Sequence, residues 1–217
     1  MPQPVTSRNF ASRSRKHQSE FRKQQLIEAT MDCIDKLGIS QTTLARIAER
    51  VGTSQGNVVF HFRTKEALLE QTLRHLSDEY HANWTRALEM APPDPLQRLR
   101  AIVTASFAPA ICNRRKIGVW YAFWGESRSR PAYMRVCGEQ DRIFSDQVVA
   151  LCRQLEREND ARLDAESAAL SIEGTIDGLW QSFLIGPPGL KRKHAIEAVT
   201  QLIDVIYPGR ANHAANT

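Results

Sequence analysis

An all-α fold of about nine helices is what this sequence predicts, and three observations carry it. Apolar residues recur at the i, i+3, i+4, i+7 spacing of a single helix face along nearly the whole chain. Asn, Gly and Pro cut that periodicity into pieces of helical length. No stretch reads as a convincing strand, with apolar and polar residues alternating. With 217 residues, 42% of them apolar, the chain can bury a sizeable core, as one large domain or two small ones.

Residues 1–18 are polar, basic and aperiodic, and are expected to form a disordered tail. From Glu20 to Leu37, Phe21, Leu26, Ile27, Met31 and Ile34 mark an amphipathic helix that Gly38 ends. Thr42 or Thr43 caps the next, whose buried face is Leu44, Ile47, Ala48 and Val51. Gly52 follows the last of these, where a residue with positive φ ends a helix cheaply, and Ser54 caps a third helix of about two turns. Its apolar side, Val58 and Phe62, points inward and leaves Gln55 and Asn57 facing out. Thr64 caps a long helix that carries Lys65 and Glu66 in its first turn, runs through Leu68, Leu73 and Tyr80 toward Trp84 and Leu88, and stops at Pro92 and Pro93. Further helices are expected at about 95–110, 114–126, 131–156, 163–185 and 190–206. The expected boundaries are a basic tail over 1–18, an N-terminal domain over 19–66, a C-terminal helical domain over 67–208 and a short disordered tail over 209–217.

Helix, glycine turn, short second helix and capped third helix in residues 42–69 spell a helix-turn-helix. Short amides on the exposed part of the middle helix suit base edges in a major groove, since Gln and Asn pair bidentately with adenine; Gln55 and Asn57 are therefore the candidate base readers. Thr43, Lys65 and the tail arginines are the candidate phosphate contacts, Lys65 because it stands beside a helix N-terminus, and Arg46 is suited to either role. Charge points the same way. Residues 1–75 hold 12 Lys and Arg against 7 Asp and Glu, whereas residues 76–217 hold 17 of each. The whole formal excess of +5 thus sits on the part that carries the motif, as phosphate neutralisation requires.

These residues resemble the TetR family of one-component bacterial repressors. The matching letters are Leu26, Ile27 and Ala29, then Gly38, Thr42, Thr43, Ile47, Ala48, Gly52, Ser54, Gly56, His61, Phe62, Lys65, Glu66, Leu68 and Leu69, in order over roughly fifty residues. The resemblance implies a dimeric repressor on double-stranded operator DNA, and it adds Ser54 and His61 to the DNA-facing set. One letter departs, since the family usually has a phosphate-contacting tyrosine where this chain has Val59. That contact is expected to be missing here, so that some other group must supply the affinity, and whether the basic tail does so stays open.

In the C-terminal half, Trp120, Tyr121, Phe123 and Trp124 crowd one helix, and Trp180 follows Asp177 on another. Aromatic rows at helical spacing also serve as ordinary core. Around a cavity, however, several π faces make a site for a quaternary ammonium ligand, with a carboxylate such as Asp177 or Glu126 balancing its charge. The segments GVWYAFWGESRSRPAYMRV (118–136), IDGLW (176–180) and RLRAIVTASF (98–107) look like the BetI-type subgroup, whose members repress genes for choline uptake and for oxidation of choline to glycine betaine. Carried over by motif, Trp120, Phe123, Trp124, Asp177 and Trp180 are expected to bind a small cationic ligand such as choline, while Tyr121 is rotated away. Related regulators of efflux or catabolic operons share some of these letters, so another cationic or aromatic ligand stays open. The last two long helices are apolar around much of their circumference, which predicts a homodimer through them, or else an ordinary intramolecular core.

Other functions are disfavoured. Gly52-Thr53-Ser54-Gln55-Gly56 matches the G-x-S-x-G elbow of serine hydrolases, but the preceding residues have helical spacing and no sheet is available, so no enzyme is expected. Cys33, Cys112, Cys137 and Cys152 form no CxxC pair and do not cluster with the six histidines; buried thiols are expected, with no metal and no cofactor. No apolar run reaches the roughly eighteen residues of a membrane helix, and no signal peptide is legible, so a cytoplasmic protein is expected.

Overall fold

The computed structural model describes residues 8–126, 131–158, 160–186 and 189–208, with only the backbone described at 8–16, 126, 132 and 133. Among the described residues there are nine α-helices and no strand: α1 (Arg8–Gln41), α2 (Leu44–Arg50), α3 (Gln55–Phe62), α4 (Lys65–Met90), α5 (Pro95–Ser106), α6 (Arg114–Glu126), α7 (Pro131–Glu158), α8 (Ala165–Ile185) and α9 (Arg192–Ile206). They fall into two compact units, Met1–Thr72 and Leu73–Thr217, and α4 belongs to both.

Local chemistry sets the helix ends. Thr43 Oγ1 accepts from Arg46 N at 3.3 Å to start α2, and Ser54 Oγ accepts from Asn57 N at 3.2 Å to start α3. Thr64, Asp94 and Asp164 do the same for α4, α5 and α8, and Pro95 occupies the first position of α5, where its missing N–H costs nothing. Thr42, the other capping candidate, is buried and donates to Gly38 O at 2.8 Å.

One expectation about α1 needs correction. It begins at Arg8, so the residues from 8 to 18 are helical rather than disordered. They contain neither Gly nor Pro, and extending an existing helix is far cheaper than nucleating one. Gly38 ends the regular helix as expected: its φ of 76° and ψ of 166° lie in a region open almost solely to glycine, and a separate short turn follows to Gln41. Residues 1–7 and 209–217 lie outside the described residues.

In the first unit α1 packs on α2 and α2 on α3, around Leu26, Met31, Ile34, Ile47, Val58 and Leu68. An Arg50–Asp32 ion pair at 2.9 Å ties α2 to α1. The α3–α4 connection is a two-residue turn in which Thr64 N donates to Phe62 O at 2.7 Å across Arg63, whose φ of 64° and ψ of −53° make it a strained γ-turn. In the second unit α7 packs on α5 and α8, α8 also on α6 and α9, and α9 on α5. All four cysteines are buried and unbridged.

Two substitutions test the backbone account. Gly38→Ala meets nothing within 4 Å, so its cost is conformational, about 1–3 kcal/mol of unfolding free energy in a urea titration. Arg63→Gly relieves a γ-turn and is expected to leave stability unchanged or raise it by up to about 1 kcal/mol, against the usual cost of a new glycine.

Candidate functional site

The short helix α3 shows how the first unit presents itself to a partner. Val58 and Phe62 are buried, which turns Gln55, Gly56, Val59 and Phe60 outward at i, i+1, i+4 and i+5. Gln55 is exposed as expected. Asn57 is not the free amide the sequence implies: it is half-buried, and its Nδ2 donates to Thr53 Oγ1 at 2.8 Å, because position 57 lies on the flank of α3 nearest the turn. Thr43 and Ser54 are exposed, with their hydroxyls engaged as helix caps.

Arg46 is exposed and its Nη1 donates to Gln41 O at 2.7 Å. Lys65 departs from the expected free phosphate clamp. Its Nζ donates to Ile39 O at 2.8 Å, so the ammonium sits on the carbonyl end of α1, where a helix carries partial negative charge. His61 is half-buried with its ring edge-on to Phe60 at 5.1 Å; burial first, then the charges of Lys23 and Arg22, hold its pKa below the usual histidine value, so it stays neutral at pH 7.

The second unit contains a cavity of about 310 Å³ built from four helices. Helix α6 contributes Trp120 and Trp124, four residues apart on one face, and α8 contributes Glu173, Ile176, Asp177 and Trp180 at i, i+3, i+4 and i+7. Tyr80, His81 and Trp84 come from α4, with Ser77, and Asp141 and Phe144 come from α7, with Gln140. The rings brace one another: Tyr80 stands 5.7 Å from Trp180 and 5.5 Å from Phe144, and Trp84 stands 5.6 Å from Phe144. Their polar atoms are satisfied by α5, since Trp180 Nε1 donates to Ser106 O at 3.0 Å and Tyr80 Oη lies 3.1 Å from Ser106 Oγ. What the rings offer the cavity is π surface.

Charge in the cavity is of one sign. Asp141, Glu173 and Asp177 line it, and among the described residues no Lys or Arg does. All three carboxyls are raised above the ordinary range by desolvation, although Asp141 and Asp177 keep solvent access, and Asp141 is pushed up to about 6 with the Asp177 charge as the second cause. Glu173 accepts from Ser145 Oγ at 3.1 Å, and His81 Nδ1 is buried without a hydrogen-bond partner. Such a site takes a positively charged group of modest size and disfavours an anion.

Four of the five residues expected to bind ligand, Trp120, Trp124, Asp177 and Trp180, meet at this cavity. Phe123 does not; it is buried without lining the space, because its helix turns it about 100° away from Trp124. Tyr121 also stays off the lining, and its hydroxyl donates to Asp177 O at 3.0 Å while its ring stands edge-on to Trp124 at 4.8 Å. The side chain of Glu126 lies outside the described residues. Sequence reasoning missed the α4 and α7 walls. Tyr80 and Trp84 at i, i+4 and Asp141 with Phe144 at i, i+3 were signals of a shared face, but of a kind that an ordinary core also gives.

The G-x-S-x-G match is excluded as a nucleophile elbow by its setting, because α2 precedes it and Ser54 is a helix cap. Among the described residues no helix is long and apolar enough to cross a membrane, and no cluster of His, Cys, Asp or Glu could hold a metal.

Comparison with known proteins agrees with both halves. Residues 26–72 match the family described as bacterial regulatory proteins, tetR family, and residues 95–208 match the BetI-type transcriptional repressor C-terminal family. The HTH-type transcriptional regulator BetI of Paraburkholderia phymatum is 36% identical over 188 residues, covering 86% of this chain and 93% of the relative, and that of Burkholderia mallei is 35% identical over 88% and 96%. Among solved structures, a putative transcriptional regulator from Pseudomonas aeruginosa superposes with a TM-score of 0.77 at 28% identity, over 89% of this chain and 94% of the other. A putative transcriptional regulator from Saccharomonospora viridis, solved in complex with choline, superposes with a TM-score of 0.74 at 21% identity over 85% and 96%, and so shares the fold. A helix-turn-helix unit followed by a BetI-type helical unit, similar over most of its length to curated transcriptional regulators, places this chain in the TetR family as a BetI-type transcriptional repressor rather than an enzyme.

Proposed function

We propose that this repressor senses a choline-class quaternary ammonium ion in the α4–α6–α7–α8 cavity and, as a cytoplasmic homodimer, controls genes for choline uptake and glycine betaine synthesis from a palindromic operator. One observation carries the ligand class: several aromatic rings and three carboxylates line a cavity to which no Lys or Arg contributes among the described residues. Each cation–π contact contributes roughly 0.5–2 kcal/mol, and the carboxylates balance the ligand's charge. A volume of about 310 Å³ lies at the small end of the roughly 300–1,000 Å³ typical of ligand pockets, which favours a small cation over a flat multidrug ligand. The choline found in the Saccharomonospora viridis structure is consistent with this reading.

Apolar side chains left uncovered on the last two helices support dimerisation. Ile172, Ile176, Val199 and Ile203 are used within the second unit, whereas Leu170 and Ile185 on α8 and Val205 on α9 remain exposed. Two copies would bring two α3 helices to successive major grooves of a palindrome.

The route from ligand to DNA is α4, which carries Lys65 in the first unit and Tyr80, His81 and Trp84 along the cavity without a break in the helix. A ligand loosens the operator complex only if it prefers the conformation that fits the operator less well. For a tenfold loss that preference is about 1.4 kcal/mol, within reach of two cation–π contacts.

Choline titrated against intrinsic tryptophan fluorescence is expected to saturate, while the neutral carbon analogue 3,3-dimethylbutanol binds at least tenfold more weakly. Trp124→Ala and Asp177→Asn are each expected to weaken choline roughly 5- to 30-fold, about 1–2 kcal/mol, with operator binding in the absence of ligand retained. Equal binding of the neutral analogue would turn the reading toward an apolar effector.

Acid should weaken the cation. Because the Asp141 carboxyl is raised to about 6, it is ionised at pH 7.5 and takes up a proton as pH falls through that value, removing one negative charge from the cavity. Choline affinity is therefore expected to drop several-fold between pH 7.5 and pH 5.5, and Asp141→Asn to flatten that profile; an unchanged profile in the variant would remove Asp141 from the account.

A further inference from the structure

The outward face of α3 is poor in polar groups for a helix that reads bases. Position 56 is glycine, and a Cβ built there would find only Ser54 Oγ, at 3.8 Å. Asn57 has turned its amide to Thr53 at 2.8 Å. That leaves Gln55 as the exposed amide, beside two apolar side chains that the fold does not bury: Val59 is 40% exposed and Phe60 is 78% exposed. Val59 lies one helical turn beyond Gln55, and Phe60 one turn beyond Gly56, so all four positions share a face.

Within a major groove the apolar group available to such side chains is the 5-methyl of thymine; the other edge atoms are hydrogen-bond donors and acceptors. DNA is the occupant of this face because α3 belongs to the helix-turn-helix unit whose residues 26–72 match the tetR family of bacterial regulatory proteins, and the exposed Arg63 closes the helix, while the formal excess of +5 lies ahead of it in residues 1–23. We propose that Val59 and Phe60 are specificity-determining residues that read thymine methyl groups, so that the operator half-site carries thymines facing the C-terminal half of α3 and an adenine facing Gln55. The proposal rests on operator recognition by α3 and adds which bases it prefers. On this account Val59 stands where a polar phosphate contact has been exchanged for methyl recognition, and the affinity so lost is drawn from the excess of Lys and Arg in residues 1–23.

The test uses the full-length protein and a duplex that the protein itself enriches from a random-sequence library, resynthesised with uracil in place of thymine in the half-sites. Burying one methyl group is worth about fourfold in affinity, so the wild type is expected to bind the uracil duplex about fourfold more weakly per contacted methyl, read by fluorescence anisotropy. F60A is expected to bind the two duplexes with a ratio closer to one, V59A to lose a smaller share of the discrimination, and Q55A to keep the whole uracil penalty while losing affinity. Phe60 and Val59 are exposed, so the variants should fold, and unchanged circular dichroism confirms it. Equal wild-type affinity for thymine and uracil duplexes, with sequence-specific binding intact, overturns methyl reading alone. So does an F60A protein that retains the full penalty, which would point to a protein partner for the exposed ring. A library from which no sequence is enriched overturns operator reading by α3, and the proposal falls with it.

Discussion

The aromatic cavity in the second unit of this repressor depends on one buried serine. Ser106 closes α5, and its hydroxyl donates to Ile102 O at 3.0 Å, which leaves the oxygen free to accept the Tyr80 hydroxyl at 3.1 Å; its carbonyl accepts Trp180 Nε1 at 3.0 Å. A single residue therefore satisfies the two polar atoms that would otherwise be stranded when rings from α4 and α8 are brought together. Burial holds Tyr80 as a neutral phenol, with its pKa well above the usual value, so it keeps the proton it donates. Once those polar ends are fixed, the rings can lean on one another edge to face and leave their surfaces to a cation.

The pocket is built at a cost in charge. Burial raises the pKa of all three carboxyls, the Asp177 charge adds to the rise at Asp141 and Glu173, and among the described residues no Lys or Arg lines the cavity to offset them. The surrounding bundle is otherwise tied by ordinary ion pairs such as Arg100–Asp204. This concentration of negative charge is what makes the cavity the candidate site for a cation.

How much of this was legible in the sequence follows from which signals are local. Helix starts at Thr43, Ser54, Thr64, Asp94 and Asp164 are written by a side chain and the backbone N–H three residues on, so these five starts and the helix-turn-helix are local signals, and the other helices show through apolar periodicity. Trp120, Trp124, Asp177 and Trp180 were legible because each pair lies on its own helix at a one-turn spacing. The α4 and α7 walls were not, because Tyr80, Trp84, Asp141 and Phe144 show only that they share faces, and which face meets which is a long-range fact. For a related reason the sequence does not show the partners that Asn57 and Lys65 have without DNA, Thr53 Oγ1 and Ile39 O. Phe123 failed because a motif letter was taken for a direction around the helix.

The central claim is that a cation in the α4–α6–α7–α8 cavity loosens the grip on DNA. A gel shift of the full-length protein on the DNA upstream of its own gene, with excess random competitor and with or without millimolar choline, tests it most directly. The account predicts a competitor-resistant shift that choline weakens by tenfold or more, with no effect of the neutral analogue at the same concentration. A competitor-resistant shift that neither choline nor any other quaternary ammonium ion alters would contradict it.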